Sequence, residues 1–158
     1  MSDLLLPEII EIGNTKYEMT QEADLAIQEV NLNYEYCRQA ALFARYGTAY
    51  ELALHAERKL KTALELTAAR LDHQGRMEAK TAGVKQTEKM AESYVKDRVD
   101  FQDATEEFQA AQKITGLLKQ AKDAIVQKQN MLMQLGATQR QERGSDPTMK
   151  AEHIKNSS

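Results

Sequence analysis

Between Pro7 and Pro147 the chain contains no proline. Proline removes a backbone donor and clashes with the preceding helical turn, so its absence leaves this whole stretch open to long helices. Ala, Leu, Glu, Lys and Gln fill the stretch, and all are strong helix formers. Alternating runs of β-branched residues are missing, so no strands are expected. The expected fold class is all-α: a helical hairpin, a short helix and one long C-terminal helix in a coiled-coil-like oligomer.

The periodicity divides the chain into three parts. Residues 1–19 read as an extended or loosely ordered arm, since Pro7 and Gly13-Asn14 interrupt any early helix. Its leucines and isoleucines (Leu4, Leu5, Leu6, Ile9, Ile10, Ile12) are too apolar for free solvent, so the arm is expected to dock on its own core or on a neighbour. Residues 20–142 form the helical, oligomerising domain. Residues 143–158 are polar and aperiodic and read as a disordered tail.

Within the helical part, a first helix is expected from Thr20 to Tyr46. Ile27, Val30, Tyr34, Cys37, Ala41 and Ala44 recur at three- and four-residue steps and form its apolar stripe. Gly47-Thr48 reads as a stop and a new cap, or as a point across which two helices fuse. A second helix follows to Asp72, with Tyr50, Ala53, Leu54, Leu60, Leu64, Ala68 and Leu71 inward. His73-Gln74-Gly75 reads as its end, and residues 74–86 as a basic, mobile loop. Thr87 is placed to cap a short third helix, with Glu88 in its first turn.

The last helix is expected over residues 99–142. Ala104, Ala111, Leu118, Ile125 and Leu132 are spaced by seven, with Phe101, Phe108, Ile114, Ala121 and Leu135 between them. This is a heptad seam. A helix of about 40 residues spans roughly 60 Å, longer than a compact domain of this size. The seam residues Phe101, Ala104, Phe108, Ala111, Leu118, Ile125 and Leu132 are therefore expected to join copies of the chain. The absence of tryptophan and the presence of only three phenylalanines point the same way, because one subunit would bury little.

Candidate chemistry is sparse. No phosphate-loop signature surrounds Gly75 or Gly83, and the histidines (His55, His73, His153) form no paired Glu-x-x-His motif. Glu51 and His55 read as ordinary surface neighbours, Cys37 as a small core residue, and Met131 and Met133 as helix packing. No enzyme activity, cofactor or metal is expected. The single cysteine excludes an internal disulfide, and no apolar run reaches the roughly 18 residues of a membrane span. Leu4–Leu6 is too short for a signal-peptide core, so a cytoplasmic location is expected.

Charge is the remaining signal. The formal net charge is −3, unevenly spread. Residues 1–35 hold eight acids against Lys16 alone, whereas residues 36–99 hold twelve Lys or Arg against eight acids. Arg58, Lys59, Lys61, Arg70, Arg76, Lys80, Lys85 and Lys89 outnumber the acids among them. Repeated around an oligomer, such a set tracks a phosphate backbone without reading sequence. With Tyr94 the only aromatic nearby, base stacking is a minor contribution. The bland alternative is a solvated face.

The order of segments carries a resemblance. A helical hairpin leads to Arg70-Leu71-Asp72-x-x-Gly75, a basic stretch, Thr87-Glu88 opening a short helix, a Lys96-Asp97 break and one long heptad helix. Over about residues 20–142 this resembles the UvsY-type recombination mediators of tailed phages. The resemblance implies a non-enzymatic, ring-like homo-oligomer that binds single-stranded DNA through basic residues. It further implies loading of a RecA-like recombinase onto DNA covered by single-strand-binding protein, in the cytoplasm of a bacterial host. Arg70 matches one member of the family's basic pair; Ala68, His73 and Gln129 stand where that family carries a basic, an aromatic and an Arg residue. Arg76, Lys80 and Lys85 supply neighbouring charge. The acidic arm would contact the recombinase or compete with DNA for the basic residues. The alternative function is a helical scaffold or assembly chaperone that uses the same seam for partner helices.

Overall fold

The computed structural model describes residues 9–12 and 15–145, with side chains to residue 142. Two short strands, β1 (Ile9–Ile12) and β2 (Thr15–Glu18), are followed by a one-turn helix α1 (Gln21–Leu25) and a 3-10 turn (Glu29–Asn31). Three helices complete the fold: α2 (Leu32–Thr81), α3 (Glu88–Lys96) and α4 (Val99–Ser145). The fold is mostly all-α, as expected. Among the described residues no helix is long and apolar enough to cross a membrane.

The hairpin corrects the expectation of no strands. Ile10 pairs with Tyr17 and Glu11 with Lys16, antiparallel. Ile9, Ile10 and Ile12 before Gly13-Asn14, and Thr15 and Tyr17 after it, are β-formers around a hairpin dipeptide. The arm is thus partly ordered: Ile10 and Met19 are buried. Residues 1–8 lie outside the described residues, as does the expected tail from residue 146; α4 itself runs to Ser145.

Two further boundaries move. Gly47-Thr48 does not stop the helix; α2 is continuous for 50 residues. His73-Gln74-Gly75 does not stop it either. Gly75 is buried because the Tyr94 ring packs on it, and a Cβ there would lie 2.8 Å from Tyr94 Cδ1. The helix ends at Gly83, whose φ of +67° is the left-handed conformation glycine adopts freely. The amides of Gly83 and Val84 donate to the carbonyls of Lys80 and Ala79, closing a Schellman motif. The expected basic loop is therefore helical as far as Thr81. The third helix is where the sequence placed it: Thr87 Oγ1 accepts from the Met90 amide at 3.4 Å.

The fold divides into two compact units. The first joins the hairpin, through Met19, to Thr48–Lys119. Its core holds Ile10, Met19, Ala49, Ala53, Leu71, Ala91, Val95 and Leu118. The second joins Thr20–Gly47 to the chain from Gln120. Its core holds Leu32, Leu42, Tyr46, Ala121, Ile125 and Leu132, together with the buried polar residues Asp24, Glu35, Gln39 and Lys128.

The inward face of α2 is not the expected one. Leu32, Glu35, Gln39, Leu42, Tyr46, Ala49 and Ala53 are buried, at steps of three and four. Val30, Tyr34, Cys37, Ala41 and Ala44 are exposed. Cys37 is therefore a surface residue. Glu35 and Gln39 made the true seam look polar. Met131 and Met133, expected to pack, are also exposed.

Candidate functional site

The eight basic residues all lie in the first unit and all are exposed, but they form two groups. Arg70 donates to Asp100 at 2.7 Å. Arg76 donates to Asp72 at 2.8 Å and reaches Glu88 at 3.3 Å. The hydrogen bond and charge of Asp72, then those of Glu88, hold the Arg76 guanidinium above its ordinary range. Beside it, Glu78 is held below the usual carboxylate range, first by a hydrogen bond from Gln74 at 2.9 Å. Arg98 lies 3.7 Å from Glu78 and stacks 4.2 Å from the Tyr94 ring centre. The motif residues Arg70, Asp72, Gly75 and Glu88 are thus brought together as a clasp that fastens α3 and the start of α4 to α2.

The other six are different. Arg58, Lys59 and Lys61 share one turn of α2; Lys80 sits in its last turn, Lys85 in the following connection and Lys89 in the first turn of α3. Among the described residues, none of these six has an ion-pair partner within 4 Å. Long, exposed, unpaired cations are the groups that a phosphate chain can engage without first displacing an acid.

The residues expected to join copies are packed inside the chain. Leu118, Ile125 and Leu132 are fully buried. Phe101, Ala104, Phe108 and Ala111 are half-buried. A second copy cannot reach the three buried residues while the fold is intact. Also in the first unit, Ala53 and Leu60 of α2 and Ala111 and Ile114 of α4 line an apolar groove of about 370 Å³, with Ile12 at one wall. Glu51 and His55 are exposed neighbours, and among the described residues no group of three or more His, Cys, Asp or Glu is placed to hold a metal.

The second unit contains a buried polar cluster that the sequence reading missed. Asp24 of α1 is fully buried. Its carboxylate accepts from Arg38, from Tyr46 Oη at 3.0 Å and from Thr20 Oγ1 at 3.1 Å. Arg45 adds a charge 3.8 Å away. Burial first, then the Asp24 charge and hydrogen bond, push the Tyr46 hydroxyl well above the ordinary tyrosine range. Lys128 is equally sequestered, and its ammonium lies 2.7 Å from Glu35 Oε2. It also donates to the carbonyls of Asp24 at 2.9 Å and Ala26 at 2.8 Å. Burial alone would raise the Glu35 carboxyl. Lys128, the Gln28 amide and the Arg38 charge outweigh it and hold the carboxyl below its usual range. Gln39 donates to the Ile125 carbonyl at 2.6 Å and Tyr36 to that of Leu132 at 2.6 Å.

A signal for this cluster was present. Lys128 lies three residues after Ile125 and four before Leu132, a charge on the heptad seam itself. A buried cation needs an acid partner, and Glu35 is the acid at a seam position of α2.

These features define a mostly all-α protein whose buried chemistry is a polar latch and whose outward chemistry is a set of cations unpaired among the described residues. No family model, no curated protein and no solved structure matches the chain.

Proposed function

We propose that the chain is a non-enzymatic binder of single-stranded nucleic acid, a recombination mediator of the UvsY type. One observation carries this reading: six exposed cations, from Arg58 to Lys89, have no ion-pair partner among the described residues. The order of the later segments supports it: Thr87-Glu88 opening a short helix, the Lys96-Asp97 break and one long heptad helix. In that role the protein would engage phosphates as a homo-oligomer and help load a RecA-like recombinase onto DNA covered by single-strand-binding protein. The contacts would be made by Arg58, Lys59, Lys61, Lys80, Lys85 and Lys89. Arg70 and Arg76 hold the fold and contribute less to binding, because any phosphate would have to displace their acids.

Fluorescence anisotropy with a labelled oligonucleotide tests the reading. Binding should weaken steeply with salt, since each phosphate contact adds about 0.7 to the log–log slope for single strands. Replacing Arg58, Lys59 and Lys61 together by Gln should cost roughly tenfold or more in affinity at low salt and flatten that slope. Replacing Arg70 and Arg76 should lower stability more than affinity. Absence of binding at low salt would remove the nucleic-acid reading.

A second reading, a scaffold or assembly chaperone for partner helices, is favoured by a different observation. Val30, Tyr34, Cys37 and Ala41 form an exposed stripe in the second unit, and Leu52, Leu66 and Met77 are exposed on α2 in the first. Exposed apolar stripes at helical spacing are what a partner helix covers.

A further inference from the structure

The Asp24 carboxylate sits in a donor set suited to any oxyanion. Two guanidinium groups, Arg38 and Arg45, and two hydroxyls, Tyr46 and Thr20, converge on it. Forked guanidinium donors and hydroxyls are the groups that hold carboxylates and phosphates alike. The acid is wholly buried, but the arginine side chains are 32% and 43% exposed, so the donors reach inward from the surface.

The acid itself comes from a weakly built element. α1 has five residues, its N-cap side chain accepts from no backbone amide, and residues 26–28 after it are not helical. Its flanking apolar residues, Leu25 and Ile27, are only half-buried. What fastens it is mostly polar: the Asp24 carboxylate, the two carbonyls capped by Lys128, and the Gln28 amide donating to Glu35 at 3.3 Å. If α1 lifted, Lys128 would keep its ion pair with Glu35, which belongs to α2. The hydrogen bonds that Arg38 and Tyr46 make to Asp24 would be the ones left open. A segment secured by charge rather than apolar area is one that a polyanion can exchange for itself.

We infer that α1 is an internal anionic lid: Asp24 stands in for a phosphate on an Arg38–Arg45–Tyr46 oxyanion site, and a polyanion that displaces the lid takes the same donors. The ligand class rests on the nucleic-acid reading above, while the site rests on its own geometry.

Two measurements test this. Isothermal titration with inorganic polyphosphate at low salt compares the wild-type chain with Asp24→Asn, which keeps the shape and removes the competing charge. The variant should bind about fivefold tighter or better, the lower end of ordinary coupling between sites. Adding Arg38→Gln should abolish that gain. Hydrogen exchange on the wild-type chain then compares amides 21–31 with and without saturating polyphosphate; they should exchange faster with it. A folded Asp24→Asn variant with wild-type affinity overturns the lid. So do amides 21–31 that exchange no faster at saturation, and this result decides the matter if the variant does not fold. A labelled oligonucleotide run in parallel separates the two readings. Oligonucleotide binding alongside polyphosphate affinity that Asp24→Asn leaves unchanged removes the lid alone. A polyphosphate response without oligonucleotide binding removes the nucleic-acid function alone.

Discussion

Lys128 shows how much one residue can decide. It occupies a seam position of α4, where an apolar side chain would ordinarily sit, and it answers the buried Glu35. Removing one member of such a pair strands the other charge. Lys128→Met should therefore cost about 3–5 kcal/mol of stability, and Lys128→Met with Glu35→Leu considerably less; urea unfolding of both variants checks this. The pH dependence has a definite sign. Glu35 is depressed in the fold, so the unfolded chain binds its proton more readily. Its contribution is present above the ordinary carboxylate range and is lost as pH falls through the folded value. Glu35→Gln should remove part of the acid-side loss of stability, read as a shallower fall of Tm at low pH. Glycines give a second contrast. A Cβ at Gly47 or Gly116 meets nothing within 4 Å, so Ala at either site should stabilise by about 0.5–1 kcal/mol through helix propensity. A Cβ at Gly75 lies against the Tyr94 ring. Gly75→Ala should instead lower Tm, because overpacking costs about 1–3 kcal/mol.

At the scale of elements, α2 carries two stripes at the same spacing. One is apolar and exposed (Tyr34, Cys37, Ala41, Ala44, continuing Val30 of the 3-10 turn before it); the other is interrupted by Glu35 and Gln39 and buried. Periodicity alone ranks the first above the second, because a hydrophobic pattern does not record which polar residues will find partners. The partners, Lys128 and the Ile125 carbonyl, lie some 90 residues further along the chain. The short elements were easier to read. Thr87-Glu88 specified the start of α3 locally, through a cap that needs nothing distant. Thr87→Ala should cost about 0.5–2 kcal/mol by urea unfolding and leave the rest of the fold intact. The hairpin was legible too, in Ile9–Ile12 and Thr15–Tyr17 around Gly13-Asn14, but helix-forming composition elsewhere masked it.

At the scale of the whole molecule, the heptad seam has changed its meaning. Its best residues, Leu118, Ile125 and Leu132, are buried within one chain. Ile125→Asp should accordingly unfold the protein by the same amount at low and high protein concentration, since a charge placed in that core has no partner. A loss that depends on concentration would place the seam between copies. Charge separates in the same way. The basic residues singled out in the sequence comprise a clasp, Arg70 and Arg76, and six others from Arg58 to Lys89 that are unpaired among the described residues. Local sequence marks Arg76 only, through Asp72 four residues before it; the other acids that claim Arg70 and Arg76, Asp100 and Glu88, lie on other helices.

The amino-acid sequence by itself determined that this chain is helical, where its third helix begins, and that its last helix carries a heptad. Those properties follow from backbone donors, caps and spacing, which act within a few residues. Tertiary structure alone decided which stripe of α2 turns inward, which arginines are already paired, and that Asp24, Glu35 and Lys128 share one buried cluster. Those outcomes depend on charges far apart in sequence meeting where water is excluded, and a buried charge is settled by its partner rather than by its neighbours in the chain.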